Sequence, residues 1–438
     1  MLYRILRAIV WVGIRLYYRE IKVVNGNVLD QDGPLILIAN HPNTLMDAWI
    51  MGYINKRRVY FMAKATFFSS PFKKKILGAL GMIPINRKSD QSVEGVNNAN
   101  TFEACYQLLE KGDVLVVFPE GSSFLERRLR DIKSGTARIA LETESRNQSK
   151  LDLKVIPIGL NYIRADTFRG RVLVHVGKPI DVAPFVRDYE NNPSIVAKQL
   201  TERFRSDLSR VFVNLDTESN EDLSEQLCAI FDTRYSGSPS GVQSKVAFIQ
   251  KLKVKLDEIA LTSPWKLAEI ERSTEQFNQR LEVLGIRPDF LDRPYRRALY
   301  MRQVIQSQLF LLICLPFFVF GLLHNALPYW GIGKLVPRIS KETEYHAALV
   351  VLLGLVCYPI QYIGFCLVSS HFFSLNWIGL GVYLVSMPLL GLFAHFFMQY
   401  WRHLASKHYF HRFVAERRDV LKSLVDERKL LNELIFNE

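Results

Sequence analysis

The 438-residue chain lacks several features that would point directly to a function. Its five cysteines have no C-x-x-C spacing, so the sequence predicts neither a disulfide framework nor a zinc site. It contains no G-x-S-x-G sequence, which argues against a serine lipase or esterase. His403, His408 and His411 do not form the i, i+4 pair of a helical metal site, and we interpret them as membrane-interface residues. We expect no metal.

Positive charge is in excess along the chain. The formal net charge is +13 at pH 7, which suits an anionic membrane surface, nucleic acid or a phosphorylated ligand. The sequence holds no recognition motif for nucleic acid. The lipid bilayer and a phosphorylated ligand are therefore the partners that we expect, and nucleic acid is not.

Basic, aromatic and apolar residues are interleaved at the N-terminus. Arg4, Arg7, Arg15 and Arg19 recur at nearly helical spacing around Trp11. No small-residue cleavage site follows, so a removed signal peptide is not indicated. We predict that residues 1–24 form an amphipathic helix in the lipid interface, the alternative being an ordinary surface helix.

Three long apolar blocks, at about residues 309–332, 347–371 and 375–398, each approach the roughly 20 residues that a transmembrane helix needs. Only the loop at 369–376 lacks Lys and Arg, and the first block contains Pro316 and Pro328. We therefore predict two full spans and a re-entrant or half-membrane hairpin at 309–332. This arrangement would leave every basic flank on the cytoplasmic side.

Residues 34–180 alternate short β-branched runs with helical patterns, which predicts an α/β fold with a largely buried sheet. The fold class expected for the whole chain is an α/β domain with an N-terminal interfacial helix, followed by a helical segment and C-terminal transmembrane helices. The predicted domains are the interfacial helix at 1–24, the α/β domain at 25–196, a helical accessory segment at 197–303 with a flexible break near 234–245, the membrane domain at 304–400, and a basic helical tail at 401–438.

Four segments of the α/β region bring polar residues to the ends of apolar strands. They are "ILIANHPNTLMDAW" with His41 and Asp47, "GMIPINR" with Arg87, "VVFPEGSS" with Glu120, and "VIPIGLNY" with Pro157. Each has an ordinary structural explanation by itself, such as a helix cap, a surface ion pair, a turn or a sheet edge. Together they meet where open α/β sheets place ligands, near the carboxyl ends of the strands, and this favours a site.

The four segments resemble the glycerolipid acyltransferase family, which contains glycerol-3-phosphate and lysophosphatidate acyltransferases, over residues 15–185. "FPEG" with an upstream His and Asp is the most specific part of the resemblance. Two features depart from the usual pattern. Five residues separate His41 from Asp47, where the family usually has four, and Ser123 occupies the position of Arg in the family's FPEGTRS. Both departures are similar to a branch of fungal glycerol-3-phosphate/dihydroxyacetone-phosphate acyltransferases and long bacterial relatives with C-terminal membrane segments.

Acyl transfer from a thioester needs a hydroxyl made nucleophilic near neutral pH, and a His oriented by a carboxylate is a suitable general base. The resemblance implies that His41 and Asp47 are catalytic. Arg87, Glu120, Gly121 and Ser122 would bind the acceptor, and Lys64 is a further phosphate contact whose alternative is a surface lysine. No cofactor is expected beyond the acyl donor, acyl-CoA or acyl-ACP.

The predicted function is a membrane-bound O-acyltransferase of phospholipid synthesis, acting on glycerol 3-phosphate or 1-acylglycerol 3-phosphate. The predicted partners are the bilayer, a glycerol-phosphate or lysophospholipid acceptor, and acyl carrier protein if it is the donor. The catalytic domain would face the cytoplasm. Two alternatives stay open at this point: a remodelling lysophospholipid acyltransferase or transacylase, and a non-catalytic lipid-binding relative.

Overall fold

The structure, a computed structural model, describes residues 2–86, 98–215, 218–235, 241–292, 297–373 and 375–436. The chain divides into two compact units. The first contains Met1–Glu218 and Glu342–Val351, and the second contains Ser219–Lys341 and Leu352–Glu438.

The first unit is an α/β domain. Its strands are β1 Glu20–Val24, β2 Leu35–Ala39, β3 Val59–Lys64, β4 Met82–Ile85, β5 Val114–Val117, β6 Lys154–Ile163, β7 Arg171–Val176 and β8 Ile180–Asp181. Its helices are α1 Leu2–Tyr17, α2 Thr44–Ile54, α3 Pro71–Ala79, α4 Asn98–Glu110, α5 Gly135–Arg146, α6 Ala183–Asn191 and α7 Pro193–Val211.

One mixed sheet organises this unit, with the strand order β1-β7-β6-β2-β5-β3-β4 and β8 paired to β6. β2 pairs in parallel with both β5 and β6, and all five of its residues are buried, as expected of a strand covered on both faces. Full burial of one Leu or Ile contributes about 1.5–3 kcal/mol. Because β2, β5 and β6 run parallel, their carboxyl ends meet at one edge of the sheet.

The alternation of strands and helices predicted between residues 34 and 180 is present in the described part of this region. Residues 1–24, predicted as one helix, instead form α1 and then the strand β1, which pairs with β7 from Glu20↔Arg171 to Val24↔His175. The alternating "EIKVV" is a strand pattern that follows the helix after a short break. Ile5, Ile9, Trp11, Val12 and Leu16 of α1 are exposed, while Ile14 is buried.

Helix α7, which begins just before the predicted domain boundary at 196, packs in the core of the sheet domain. Val196, Ala197, Leu200 and Phe204 are buried in the same cluster as Ile36. The compact unit accordingly continues to Glu218.

The second unit is helical. Its helices are α8 Glu218–Tyr235, α9 Val242–Thr262, α10 Pro264–Val283, α11 Arg297–Ile339, α12 His346–Phe373, α13 Trp377–Glu416 and α14 Arg418–Phe436. The first residue of α8 and the first residues of α12, up to Val351, belong to the first unit. The break predicted near 234–245 falls partly on residues 236–240, which lie outside the described residues. Leu227, Phe231, Leu252, Leu281 and Leu424 belong to its main buried core.

The prediction of a hairpin at 309–332 is wrong, because α11 is one continuous helix with Pro316, Pro328 and Pro337 inside it. Proline is tolerated in such apolar helices because neighbouring helices and side chains satisfy the freed backbone groups. Within the described ranges, three helices are long and apolar enough to cross a membrane: Ala298–Ile339, Thr343–Phe373 and Trp377–Glu416.

Helices α11 and α13 pack side by side in opposite directions. Tyr300 O–H lies 2.8 Å from His408 Nδ1 near one end, and Ser307 Oγ lies 2.7 Å from Tyr400 Oη further along. Lys407 donates to Gln303 at 2.9 Å. The basic start of α11 and the basic end of α13 therefore lie together.

Candidate active site

His41 and Asp47 meet at the carboxyl end of β2. The strand ends at Ala39, the chain turns through Pro42, and α2 begins at Thr44. His41 Nδ1 lies 2.9 Å from Asp47 Oδ2. The side chain of His41 is 13% exposed, and that of Asp47 is fully buried. The contact expected from the sequence is therefore present, and it leaves Nε2 of His41 as the ring nitrogen for a substrate proton.

The buried Asp47 carboxylate has two further donors. The backbone N–H of Asn43 donates to Oδ2 at 2.7 Å, and the hydroxyl of Tyr162 donates to Oδ1 at 2.6 Å. Donors on both oxygens offset the cost of burying this carboxylate. The negative charge can thus fix the His41 tautomer and stabilise an imidazolium.

The turn between His41 and Asp47 contains a residue in a left-handed conformation. Thr44 has a φ of 38°, which is unusual for a β-branched residue. Its backbone N–H donates to Ser123 Oγ at 2.9 Å, and its hydroxyl donates to the carbonyl of Glu344 at 2.9 Å. Phe124 N–H also donates to the carbonyl of His41 at 3.2 Å. Thr44 is one of the five residues between His41 and Asp47. The two departures from the motif pattern are therefore in direct contact, through the hydrogen bond between Thr44 and Ser123.

Glu120 follows β5, the strand beside β2, and its carboxylate holds the same turn. His41 N–H donates to Oε1 at 3.0 Å, and Arg130 N–H donates to Oε2 at 3.2 Å. Burial raises the pKa of Glu120 from its ordinary value, although these two backbone donors oppose the shift. The ring of Phe118 stacks on the imidazole of His41 with 4.0 Å between the centroids. Glu120 is therefore joined to the His41–Asp47 pair through the backbone of His41.

Gly121 and Ser122 were predicted as backbone donors to the acceptor. The N–H of Gly121 donates to the carbonyl of Phe118 at 3.1 Å, so this donor is engaged within the turn. Gly121 has a φ of 75°, and a Cβ there would stand 2.5 Å from Lys133 Nζ. The glycine therefore leaves room for a lysine ammonium above the "FPEG" turn. Ser122 is partly exposed beside it.

The two cations predicted to contact phosphate come from neighbouring strands. Lys64 is the last residue of β3 and is in register with Ile85 of β4, at the edge where His41 and Glu120 also lie. Arg87 lies outside the described residues. Among the described residues there is no group of His, Cys, Asp and Glu that could hold a metal ion.

Sequence reasoning missed the aromatic residues that surround the pair. Tyr162 is the last residue of the segment "VIPIGLNY", in which the sequence analysis singled out Pro157 instead. Tyr18 follows α1, and its hydroxyl accepts from Asn43 Nδ2 at 3.2 Å. Their position at the ends of a helix and a strand could have marked both tyrosines as candidates, but their distance from Asp47 along the sequence does not predict a contact with it. Pro157 itself lies in β6 where pairing passes from β8 to β7.

An apolar groove lies further along α2, starting at Ala48 beside Asp47. Val10 and Trp11 of α1, Trp49 of α2, and Phe61 of β3 line it. It is partly open to solvent. Its lining suits a hydrocarbon chain.

Comparison with known proteins assigns this region. Residues 20–161 match the family model described as Acyltransferase. The chain is 22% identical over 317 residues to glycerol-3-phosphate O-acyltransferase 2 of Saccharomyces cerevisiae, covering 67% of this chain and 41% of that protein. It is 25% identical over 135 residues to the chloroplastic 1-acyl-sn-glycerol-3-phosphate acyltransferase LPAT1 of Arabidopsis thaliana, covering 30% and 36% of the two chains.

Among solved structures, the 1-acyl-sn-glycerophosphate (LPA) acyltransferase PlsC of Thermotoga maritima aligns over 46% of this chain and 80% of its own, with 19% identity and a TM-score of 0.32. The family match identifies residues 20–161 as an acyltransferase domain within the α/β unit. These matches confirm, for this domain, the resemblance to glycerolipid acyltransferases that the motifs indicated.

Proposed function

We propose that this protein transfers a fatty acyl group from acyl-CoA or acyl-ACP to a hydroxyl of glycerol 3-phosphate or 1-acylglycerol 3-phosphate. The observation that carries the proposal is the contact of 2.9 Å between His41 Nδ1 and the buried Asp47 carboxylate. The similarity to glycerol-3-phosphate and 1-acylglycerol-3-phosphate acyltransferases supports it.

In the proposed reaction, His41 Nε2 takes the proton of the acceptor hydroxyl as its oxygen attacks the thioester carbonyl. Asp47 stabilises the imidazolium that forms. Collapse of the tetrahedral intermediate breaks the C–S bond, and the imidazolium returns its proton to the thiolate. An ester and a free thiol result, and no protein nucleophile or cofactor takes part.

We assign the substrate-binding residues by their charge and by the shape of the surface around His41. Arg87 and Lys64 would bind the acceptor phosphate, with Ser122 and the "FPEG" turn beside them. Glu120 would hold that turn against His41. The apolar groove between α1 and α2 suits the acyl chain, and the exposed apolar side chains of α1 suit the lipid interface. We place the catalytic domain on the cytoplasmic face, where both donors occur.

The test compares detergent-purified wild type with His41→Gln, supplying labelled glycerol 3-phosphate or 1-acylglycerol 3-phosphate with either donor. We expect His41→Gln to lower kcat by about 10²- to 10⁴-fold, because the general base is lost. His175→Gln, which replaces a partly buried histidine of β7, is the matched control and should keep activity.

Turnover with one acceptor would also identify the substrate. Full activity in His41→Gln would contradict the mechanism, and no wild-type turnover with any pair of substrates would contradict the proposed function.

A further inference from the structure

The carboxylate of Asp47 is held on both oxygens. Oδ2 accepts from His41 Nδ1 at 2.9 Å and from Asn43 N–H at 2.7 Å, whereas Oδ1 accepts from Tyr162 at 2.6 Å. Asp47 is fully buried, and Tyr162 is also buried. The Tyr162 hydroxyl is therefore the donor that the structure supplies to Oδ1.

We propose that Tyr162 is a positioning residue of the acyl-transfer site, whose hydroxyl fixes the Asp47 carboxylate in the orientation that accepts the hydrogen bond of His41 Nδ1. The proposal rests on the proposed function. Tyr162 itself touches no substrate and acts through Asp47 and His41.

Tyr162 is well placed for this role because it belongs to the sheet. It lies on β6, which pairs with β2, the strand that leads into His41. A donor on a central strand is held more rigidly than one on a loop. The Tyr18 ring lies 5.8 Å from the Tyr162 ring, and Tyr18 is in turn bonded to Asn43. The carboxylate is thus fixed from α2 on one side and from the sheet on the other.

Tyr162 is a fixed donor and not a proton relay. Burial and the negative charge of Asp47 raise its pKa well above the ordinary value of 10.0. The hydroxyl therefore keeps its proton at every working pH. Its effect on the reaction is geometric and electrostatic.

Removal of the hydroxyl has a defined consequence at His41. Among the described residues, the titratable groups joined to this imidazole or its partner are Asp47 of α2, Glu120 after β5, and Tyr162 and Tyr18 behind Asp47. In Tyr162→Phe, Asp47 loses one of its donors, its orientation is less restricted, and more of its charge acts on His41. Loss of a hydrogen bond to a charged group corresponds to about 10- to 100-fold in rate.

The experiment compares wild type, Tyr162→Phe and Tyr17→Phe as full-length proteins in detergent. Tyr17 is a matched control: it is equally buried and packs against Tyr18, but its hydroxyl donates to the carbonyl of Asp166 at 2.7 Å. Two quantities are measured. One is kcat and KM for both substrates, and the other is the pH midpoint of carbethoxylation at His41, followed by mass spectrometry. Thermal melting checks that both variants are folded.

We expect Tyr162→Phe to lower kcat by about tenfold or more with KM within about twofold, and to move the carbethoxylation midpoint to higher pH. Tyr17→Phe should leave both at wild-type values. Equal behaviour of the two variants would overturn the proposal, as would an unchanged or lowered midpoint in Tyr162→Phe. If wild type shows no acyl transfer, the proposed function fails, and the midpoint alone then decides the role of Tyr162.

Discussion

Thr44 shows how a single backbone conformation sets up the site. With a φ of 38° it occupies a region that costs a non-glycine residue about 1–3 kcal/mol. Such a conformation persists only where its surroundings determine it, and here Ser123 and the carbonyl of Glu344 bond both polar groups of Thr44. The turn can therefore accommodate five residues between His41 and Asp47 and still bring the two side chains together.

The Ser123 hydroxyl should be needed for this turn. Ser123→Ala leaves an N–H at the start of α2 without its partner, so we expect a loss of about 1 kcal/mol in the free energy of unfolding. We also expect kcat to fall roughly tenfold, since a small misplacement of catalytic groups is costly. Denaturant unfolding and acyl-transfer kinetics measure the two effects.

Ser123→Thr is the matched variant, because it keeps the hydroxyl and should restore both values. If Ser123→Ala behaves like wild type, the contact does not position the pair.

At the level of single residues, the site could be predicted only where residues of suitable chemistry lie close together in the sequence. His41 and Asp47 were found because an imidazole and a carboxylate follow a buried strand within one turn of helix. Glu120 was found as a motif residue, but the sequence did not show that its partner is the backbone of His41. Tyr162 could not be found, because 115 positions separate it from Asp47 and only the pairing of β6 with β2 brings them together.

Among secondary-structure elements, the central strands were the easiest to predict. β2, β5 and β6 are continuous apolar runs, because each is covered on both faces. β1 was missed since basic and aromatic residues before it extended the helical pattern, and the two residues of β8 carry no pattern of their own. α11 was misread because proline was taken as a helix break, although apolar packing keeps the helix continuous.

The apolar helices are joined by a cluster of five polar residues, His324, Asn325, Gln361, Tyr362 and Tyr383. His324 Nε2 lies 2.6 Å from the Tyr383 hydroxyl, and Tyr362 donates to Asn325 at 2.5 Å. Gln361 donates to the carbonyl of His324 at 2.8 Å, and Asn325 donates to the carbonyl of Met387 at 3.0 Å. The cluster thus connects α11 with both α12 and α13 inside apolar surroundings.

This cluster should stabilise the association of the three helices. We expect Tyr362→Phe to lower the free energy of unfolding in detergent by about 1 kcal/mol, because the Asn325 carbonyl oxygen loses its donor. Tyr358→Phe, one helical turn earlier and 5.8 Å away between ring centroids, is the matched control outside the cluster. An equal effect of the two substitutions would contradict the prediction, because the Tyr362 hydroxyl would then contribute no more than a tyrosine hydroxyl outside the cluster.

For the whole molecule, the question is whether an anionic acceptor is recognised by total charge or by particular cations. The net charge of +13 attracts any anion over a distance of about one Debye length, roughly 8–10 Å. A site built around phosphate would instead reject an acceptor that lacks it. The predicted phosphate contact Lys64 allows the two explanations to be separated.

We expect kcat/KM for 1-acylglycerol 3-phosphate to exceed that for the matching monoacylglycerol by roughly 100-fold, since the neutral acceptor offers no phosphate for the predicted contacts to bind. Lys64→Gln should reduce this ratio at least about tenfold. Lys56→Gln removes the same unit of charge from an exposed lysine paired with Asp30 at 2.6 Å, and it should leave the ratio unchanged. Equal effects of the two variants would make total charge the determinant. Equal use of both acceptors by wild type would instead indicate an acyltransferase that acts on hydroxyl lipids without recognising the phosphate.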